Sequence, residues 1–187
     1  MLLRPLVAGD FNAFSEVRRR NEAWLTPWEP MRVPGQADPA RDREAFRSRC
    51  AARDRERQLG AGFGFGLFAG GVFGGEINLN SIHRGPFQNA YVGYWIDQAM
   101  AGNSYMSESV VALAKFAFED LRLHRLQIAI IPRNHRSRRV MEKLALRDEG
   151  TAERYLEING VWEDHVRYAI TIEEWEKRRD ELHDEWL

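Results

Sequence analysis

AYVGYWID (90–97), QAMAGN (98–103) and SYMSESVVALAKFAFEDL (104–121) read in order as a strand, a short loop and a long helix. The first segment is rich in aromatic and β-branched residues, with Gly93 interrupting it where a bulge or close backbone approach is common. In the third, Val110, Leu113, Ala114, Ala117 and Leu121 recur at helical spacing and lay one apolar stripe along the helix. No acidic side chain lies between Gln98 and Ser107, and Gly102 permits a close approach. Unpaired N–H groups at a helix start beside such a loop form an anion cradle. A single glycine at a helix start also serves as a plain turn, so the junction alone does not decide.

Working outward, Phe65 to Phe68 after the glycine-dense Gly60 to Gly66 reads as a strand, Gly70-Gly71 as a hairpin turn, and Val72 to Ile82 as the partner strand. The sheet therefore begins antiparallel. Downstream, Arg125 to Ile131 is a nearly continuous apolar strand stopped by Pro132, as expected for one buried on both faces. A short helix from about His135 to Leu144 follows. Tyr155 to Ile158, Asn159-Gly160 and Val161 to Ile170 form a hairpin signal, because Asn-Gly takes the positive φ angles of a type I′ turn. Thr171 with Glu174 is a capping box opening a final helix that carries Trp175, Leu182 and Trp186. Nearer the amino terminus, Asp10 is placed to cap a helix bearing Phe11, Phe14 and Val17. Asp38 before Pro39 reads as the start of an arginine-rich helix to about Gln58, and Trp24 to Pro39 reads as an aromatic loop. No repeat or linker divides the chain, so residues 1–187 are expected to form one domain, with 171–187 an appended helix.

Length and charge narrow the function. A domain of 187 residues buries roughly 70% of its unfolded surface and needs no staple. Lysine and arginine number 27 against 28 acids, a net charge of -1, which gives no global field for nucleic acid or membrane. The near-neutral total hides opposite blocks: seven basic residues stand against Glu142 alone between Leu121 and Lys143, whereas acids outnumber bases from Leu144 onward. Cys50 is alone, which rules out an internal disulfide or a thiolate metal cage and suits a reducing cytosol. No signal peptide or membrane span is visible, and a soluble cytoplasmic protein is expected.

The ordered segments GEINLNSI, AYVGYWID, AGNSYMSESVVALAKFAFEDL, LHRLQIAIIPRNHRSRRVMEKLAL and YLEINGVWEDHVRYAI resemble the GNAT superfamily of acyl-CoA N-acetyltransferases, most closely the ribosomal-protein-alanine (RimJ/RimL-like) type. The resemblance runs from Leu3 to Ile170. It implies an α+β GNAT fold: a single mixed, mostly antiparallel, twisted sheet of six to seven strands flanked by helices, with splayed central strands. It implies acetyl-CoA as cosubstrate and no metal. Tyr94, Trp95 and Ile96 would pair with the pantetheine arm, while Met100, Ala101, Gly102, Asn103, Ser104 and Tyr105 would hold the pyrophosphate. Asn134 and Arg138 would join them in binding CoA, and Ser137 would lie near the thioester sulfur. Two loop positions depart from the family pattern of Arg/Gln-x-x-Gly-x-Gly/Ala, at Ala99 and Ser104. Met141 stands where many members carry a proton-donating tyrosine, which leaves Ser137 or a water for that role. Ala145 replaces the glycine that often ends this helix.

Acyl transfer to an amine also needs an oxyanion donor and an unprotonated nucleophile. A backbone N–H near Trp95 or Ile96 is the expected donor. Glu76 and Glu157 head the candidates for general base, with Glu153 and Asp164 behind them; Trp24, Trp28, Tyr91 and Asp164 are expected around the acceptor. An α-amine with pKa near 7.7–8 is roughly a tenth neutral at pH 7 and a lysine about 0.04%, so an N-terminal acceptor needs only a modest base. The leading expectation is an enzyme that acetylates a protein N-terminus such as that of a ribosomal protein, without membrane or direct nucleic-acid contact. A small-molecule amine acetyltransferase and a catalytically weak acyl-CoA-binding module stay open, as does a homodimer.

Overall fold

The computed structural model describes all 187 residues. In chain order the elements are β1 (Leu2–Arg4), α1 (Phe11–Arg20), α2 (Glu22–Leu25), α3 (Arg43–Gln58), β2 (Phe63–Ala69), β3 (Val72–His83), β4 (Asn89–Ile96), α4 (Tyr105–Lys115), β5 (Arg125–Ile130), α5 (His135–Lys143), β6 (Arg147–Ile158), β7 (Val161–Thr171) and α6 (Ile172–Trp186). The seven strands form one mixed sheet in the order β1-β2-β3-β4-β5-β7-β6. Every neighbouring pair is antiparallel except β4 with β5, which α4 connects as a crossover. That one parallel pair holds for only three residues, Asn89↔Arg125, Ala90↔Leu126 and Tyr91↔Gln127. Beyond Tyr91, β4 stays with β3 as far as Ile96, and β5 stays with β7 as far as Ile130. The sheet opens between them as a wedge.

Two cores hold the halves. The larger lies under α4, α5 and α6, where Ile77, Leu79, Val110, Leu113, Leu126, Met141, Leu144 and Trp175 are almost fully buried. The smaller, on the opposite face, joins Phe14 and Val17 of α1 and Phe46 of α3 to Phe68 and Phe73, with the Phe14 and Phe46 rings 4.7 Å apart. The final helix belongs to the larger core, since Trp175 is 1% exposed and its ring lies 5.7 Å from that of Phe118. Its capping box is present: Thr171 N–H donates to Glu174 at 2.8 Å.

Several local expectations shift. Asp42, not Asp38, caps α3, accepting from the N–H groups of Glu44 and Ala45 at 2.8 and 2.9 Å. Asp38 and Pro39 start one turn only, because Asp42 returns to extended backbone at φ -122° and ψ 117°. Asp10 precedes α1 as expected, yet its carboxylate reaches back to Arg4 and to the Val7 N–H. The stretch Trp24 to Trp28 is helical: α2 runs into a 3-10 turn over Thr26–Trp28. β6 begins at Arg147, eight residues before Tyr155, as a polar edge strand that gives no apolar alternation. Gly93 keeps regular register opposite Asn78, and the irregularity falls between Asn80 and His83. Asn159 and Gly160 take φ 47° and 80°, as an Asn-Gly hairpin turn requires.

Candidate active site

The wedge exposes backbone that the rest of the sheet conceals. Asp97 N–H donates to Gly74 O at 2.7 Å, so the backbone groups of alternate residues Asp97 and Trp95 point toward β3. Gly75 accommodates this because the Trp95 carbonyl sits where a Cβ would be. The N–H and C=O groups of Tyr94 and Ile96 point the other way, into the wedge. Of the Trp95 and Ile96 amides, that of Ile96 therefore faces the wedge and that of Trp95 faces β3. The Ile96 carbonyl accepts from Trp24 Nε1 at 3.1 Å, which ties α2 across the open end.

The loop after β4 is anchored from below. The Asp97 carboxylate accepts from Arg20, from Asn21 Nδ2 at 2.8 Å and from Ala99 N–H at 3.2 Å, while Asn21 Oδ1 accepts from Gln98 N–H at 2.9 Å. Burial pushes the Asp97 pKa up, but the bonds from Arg20, Asn21 and Ala99 outweigh it and hold the carboxyl below its ordinary value. Met100 tucks against Gly74, where a side chain would have no room. The chain then turns through Gly102 at φ 90° and Ser104 at φ 63°, the latter in the left-handed region that costs a non-glycine residue energy. Ser104 precedes α4 but its side chain caps nothing; its hydroxyl accepts from Lys143 Nζ at 3.2 Å. A Cβ on Gly102 would meet open space. The first-turn N–H groups of α4 thus face a loop without acidic residues.

On the far wall, α5 begins at Asn134, whose Oδ1 accepts from Ser137 N–H at 3.2 Å. Asn134 is therefore a helix cap, with Nδ2 left as a donor. The Ser137 hydroxyl lies 2.8 Å from the Tyr94 hydroxyl, a contact between α5 and the splayed end of β4. Burial drives the Tyr94 pKa up, only partly offset by Ser137. Met141 is fully buried in the core, and Ala145 adopts φ 46° where a glycine would be unstrained. Arg138 turns inward, donating through Nε to the Tyr168 hydroxyl at 3.1 Å and through a terminal nitrogen to Pro132 O.

The opposite rim is made by α2 and the β6–β7 hairpin. Arg136 stacks 4.7 Å over Trp24, Arg133 stacks 5.4 Å over Trp28, and Arg133 also pairs with Glu163 at 2.7 Å. Asn159 N–H at the hairpin tip donates to Glu29 O at 2.9 Å. Tyr91 lies deeper, where the β4–β5 ladder ends, beside Gln127 and Tyr155, whose side chains are 3.4 Å apart.

Comparison with known proteins accounts for this arrangement. Residues 1–147 match the family model described as an acetyltransferase (GNAT) domain. The chain belongs to the GNAT acetyltransferase family. It is 33% identical over 170 residues to YjcK of Bacillus subtilis (strain 168), named as a probable N-acetyltransferase, covering 90% of this chain and 92% of that one. It is 32% identical over 157 residues to the [Ribosomal protein uS5]-alanine N-acetyltransferase of Escherichia coli (strain K12), covering 83% and 79%. The solved structure of Mycobacterium smegmatis RimJ in complex with CoA-disulfide superposes with a TM-score of 0.85 at 31% identity, covering 92% of this chain and 82% of that one. The mixed, splayed sheet expected from the sequence is thus the fold of these relatives.

Within this GNAT chain the carboxylates named as bases are not gathered at the wedge. Glu76 is 4% exposed and lies beneath α3, accepting from Arg49 at 2.6 Å and from Trp95 Nε1 at 3.0 Å. Glu157 stands opposite Trp162, one residue out of phase with Glu163, so it projects from the face away from Trp28. Asp164 accepts from Arg154 N–H at 2.8 Å and fixes a break in the β6 ladder. Glu153 is exposed at the same edge. Around the opening, Glu29, Glu163 and Asp97 are each bound to an arginine. A cavity of about 600 Å³ lies elsewhere, between α3, the Arg4–Ala8 segment and β2. Its arginines are all spoken for, in the pairs Arg4–Asp10, Arg47–Glu44, Arg49–Glu76, Arg53–Glu56 and Arg57–Asp54. Sequence reasoning missed the Tyr94 hydroxyl and the Trp24 bridge, and met Lys143 only as the end of the basic segment from Leu121. Only the alternation of β4, which puts Tyr94 and Trp95 on opposite faces, signalled the first.

Proposed function

We propose that residues 1–187 form one catalytic unit that transfers acetyl from acetyl-CoA directly to the N-terminal α-amine of a protein, with ribosomal proteins the acceptor class indicated by its relatives' names. The observation that carries this reading is the wedge itself. The β4–β5 ladder ends at Tyr91↔Gln127, and the next outward backbone groups lead to a neutral, left-handed loop at a helix start. Those parts fit CoA: Tyr94 and Ile96 offer strand edges to an amide-bearing arm, and the α4 amides beyond Gly102 offer donors to a diphosphate. Acetyl-CoA supplies an activated acyl thioester. The Ile96 N–H is aimed to receive the charge that develops on the acyl oxygen.

Ser137 is the residue nearest to a leaving sulfur in this reading, donating its hydroxyl hydrogen while Tyr94 fixes its position. Tyr94 acts by orientation. A phenol raised above its ordinary pKa of 10 is a weaker acid than an alkyl thiol near 8.5, so net proton transfer from it to a thiolate is uphill.

The paired carboxylates around the opening select the acceptor. With no free carboxylate facing the wedge, the amine arrives neutral or loses its proton to water. At pH 7 roughly a tenth of an α-amine meets that condition but only about 0.04% of a lysine does. Thiol release from acetyl-CoA, read with mass spectrometry, tests the reading. Ala- and Ser-starting peptides should be acetylated on the α-amine, whereas the same peptides with blocked amino termini and an internal lysine should not. Preferred turnover of free small amines would replace the acceptor assignment, and CoA binding without release to any amine would leave a binding module.

A further inference from the structure

The loop proposed to meet the diphosphate brings no cation of its own, since residues 98–107 contain neither lysine nor arginine. Backbone amides and the helix terminus supply partial charges only, about half an elementary charge in total. A full positive charge reaches this loop from α5: Lys143 Nζ lies 3.2 Å from Ser104 Oγ. Neither partner is used elsewhere. Ser104 makes no cap bond to α4, and Lys143 is exposed with no carboxylate partner. The contact is not needed for the helix and sits on a residue strained at φ 63°. A hydroxyl that accepts from an ammonium keeps its own hydrogen free to donate onward. One turn back, Arg139 is also exposed without an acidic partner, so this ridge of α5 stays positive.

We infer that Lys143, acting through and beside the Ser104 hydroxyl, is the cation that binds the diphosphate of the CoA cosubstrate. The inference rests on the reading that CoA occupies the wedge. Ser137 and Lys143 are six residues apart on α5, about 9 Å along the axis, so one helix would address the sulfur end with its first turn and the phosphate end with its last. Ser104 then has a defined part at the one position where the loop departs toward a larger residue.

Titration calorimetry with three ligands tests this: CoA, dephospho-CoA, and S-acetylpantetheine, which has no phosphate. Lys143→Ala should weaken CoA and dephospho-CoA alike, by about tenfold at low salt, and leave S-acetylpantetheine unchanged. Its melting temperature should match the wild type. Ser104→Gly relieves the backbone while removing the hydroxyl; adding Lys143→Ala to it should cost less than in the wild-type background, because the two act together. Wild-type affinity in Lys143→Ala would overturn the inference. So would equal losses for all three ligands, a loss for CoA but not dephospho-CoA, or strict additivity of the two substitutions. If the wild type itself binds no CoA, the reading of the wedge fails first and the inference falls with it.

Discussion

The two ends of the wedge are built on opposite plans. At the α4 end, polar groups are left open: first-turn amides without partners, Gly102 facing open space, and a lysine resting on a serine that caps nothing. At the rim between α2 and the β6–β7 hairpin, several charges are held by partners within the fold. Arg18 holds Glu29, Arg133 holds Glu163, two arginines stack on tryptophans, and the hairpin tip is bonded to the α2 segment. Donors left unpaired at a helix start are free to meet an anionic ligand. A rim whose carboxylates Glu29 and Glu163 are bound to arginines offers no free carboxylate there to take a proton from an acceptor.

Four substitutions break or sharpen that contrast. Gly102→Glu, which adds a carboxylate and a side chain at φ 90°, should weaken CoA by at least about a hundredfold in calorimetry. Normal affinity would move the phosphates elsewhere. Asp97→Asn should cost about 2 kcal/mol in urea unfolding, since it weakens the charge-assisted bonds from Arg20, Asn21 and Ala99 that anchor the loop. The sign of its pH dependence follows from a folded pKa below the unfolded value of about 3.9: the stabilisation is complete above that value and is lost as pH falls through the folded pKa. The variant should therefore lose less stability than the wild type as the pH falls below about 4. Ser137→Ala should lower kcat about tenfold with CoA affinity unchanged, the pattern of an interaction made mainly in the transition state. Thr171→Ala, remote from both ends, should cost about 1 kcal/mol of stability through the lost cap and leave kinetics untouched.

Much of this organisation is legible in the sequence, but unevenly. The apolar β5 strand, the Asn159-Gly160 turn and the Thr171–Glu174 box are local signals, and each stands where its spacing puts it, as does the α4 stripe as far as Lys115, after which Phe116–Asp120 widen into a π-helical turn. The extended half of β6 is not legible, because RDEGTAER pairs along a polar edge and owes its strand to β7. The start of α3 is ambiguous in the sequence because Asp38-Pro39 and Asp42 both carry start signals; Asp42 caps the helix, while Asp38 accepts from the Ala40 N–H and pairs with Arg32 and Arg41.

The site divides along the same line. Gly102, Ser104 and Asn134 are short-range features, readable from their neighbours. A base role for Glu76 or Glu157 depends on facing, which a sequence gives only once register is known; Glu76 is buried against Arg49 of α3, and Glu157 is one residue out of phase with Glu163. Trp24 on Ile96, Tyr94 on Ser137 and Lys143 on Ser104 join elements distant in the chain, and no local pattern announces such pairs.

The central claim is that the opening between β4 and β5 holds the acyl thioester, with its sulfur toward Ser137 and its diphosphate toward Ser104 and Lys143. A crystal structure with CoA bound tests it most directly. The account predicts the sulfur within hydrogen-bonding distance of Ser137 Oγ, the pantetheine amides on the backbone of Tyr94 and Ile96, and the diphosphate on the first-turn amides of α4. A CoA molecule seated instead in the arginine-walled cavity beside α3, or lying in the wedge with its sulfur away from α5, would contradict it.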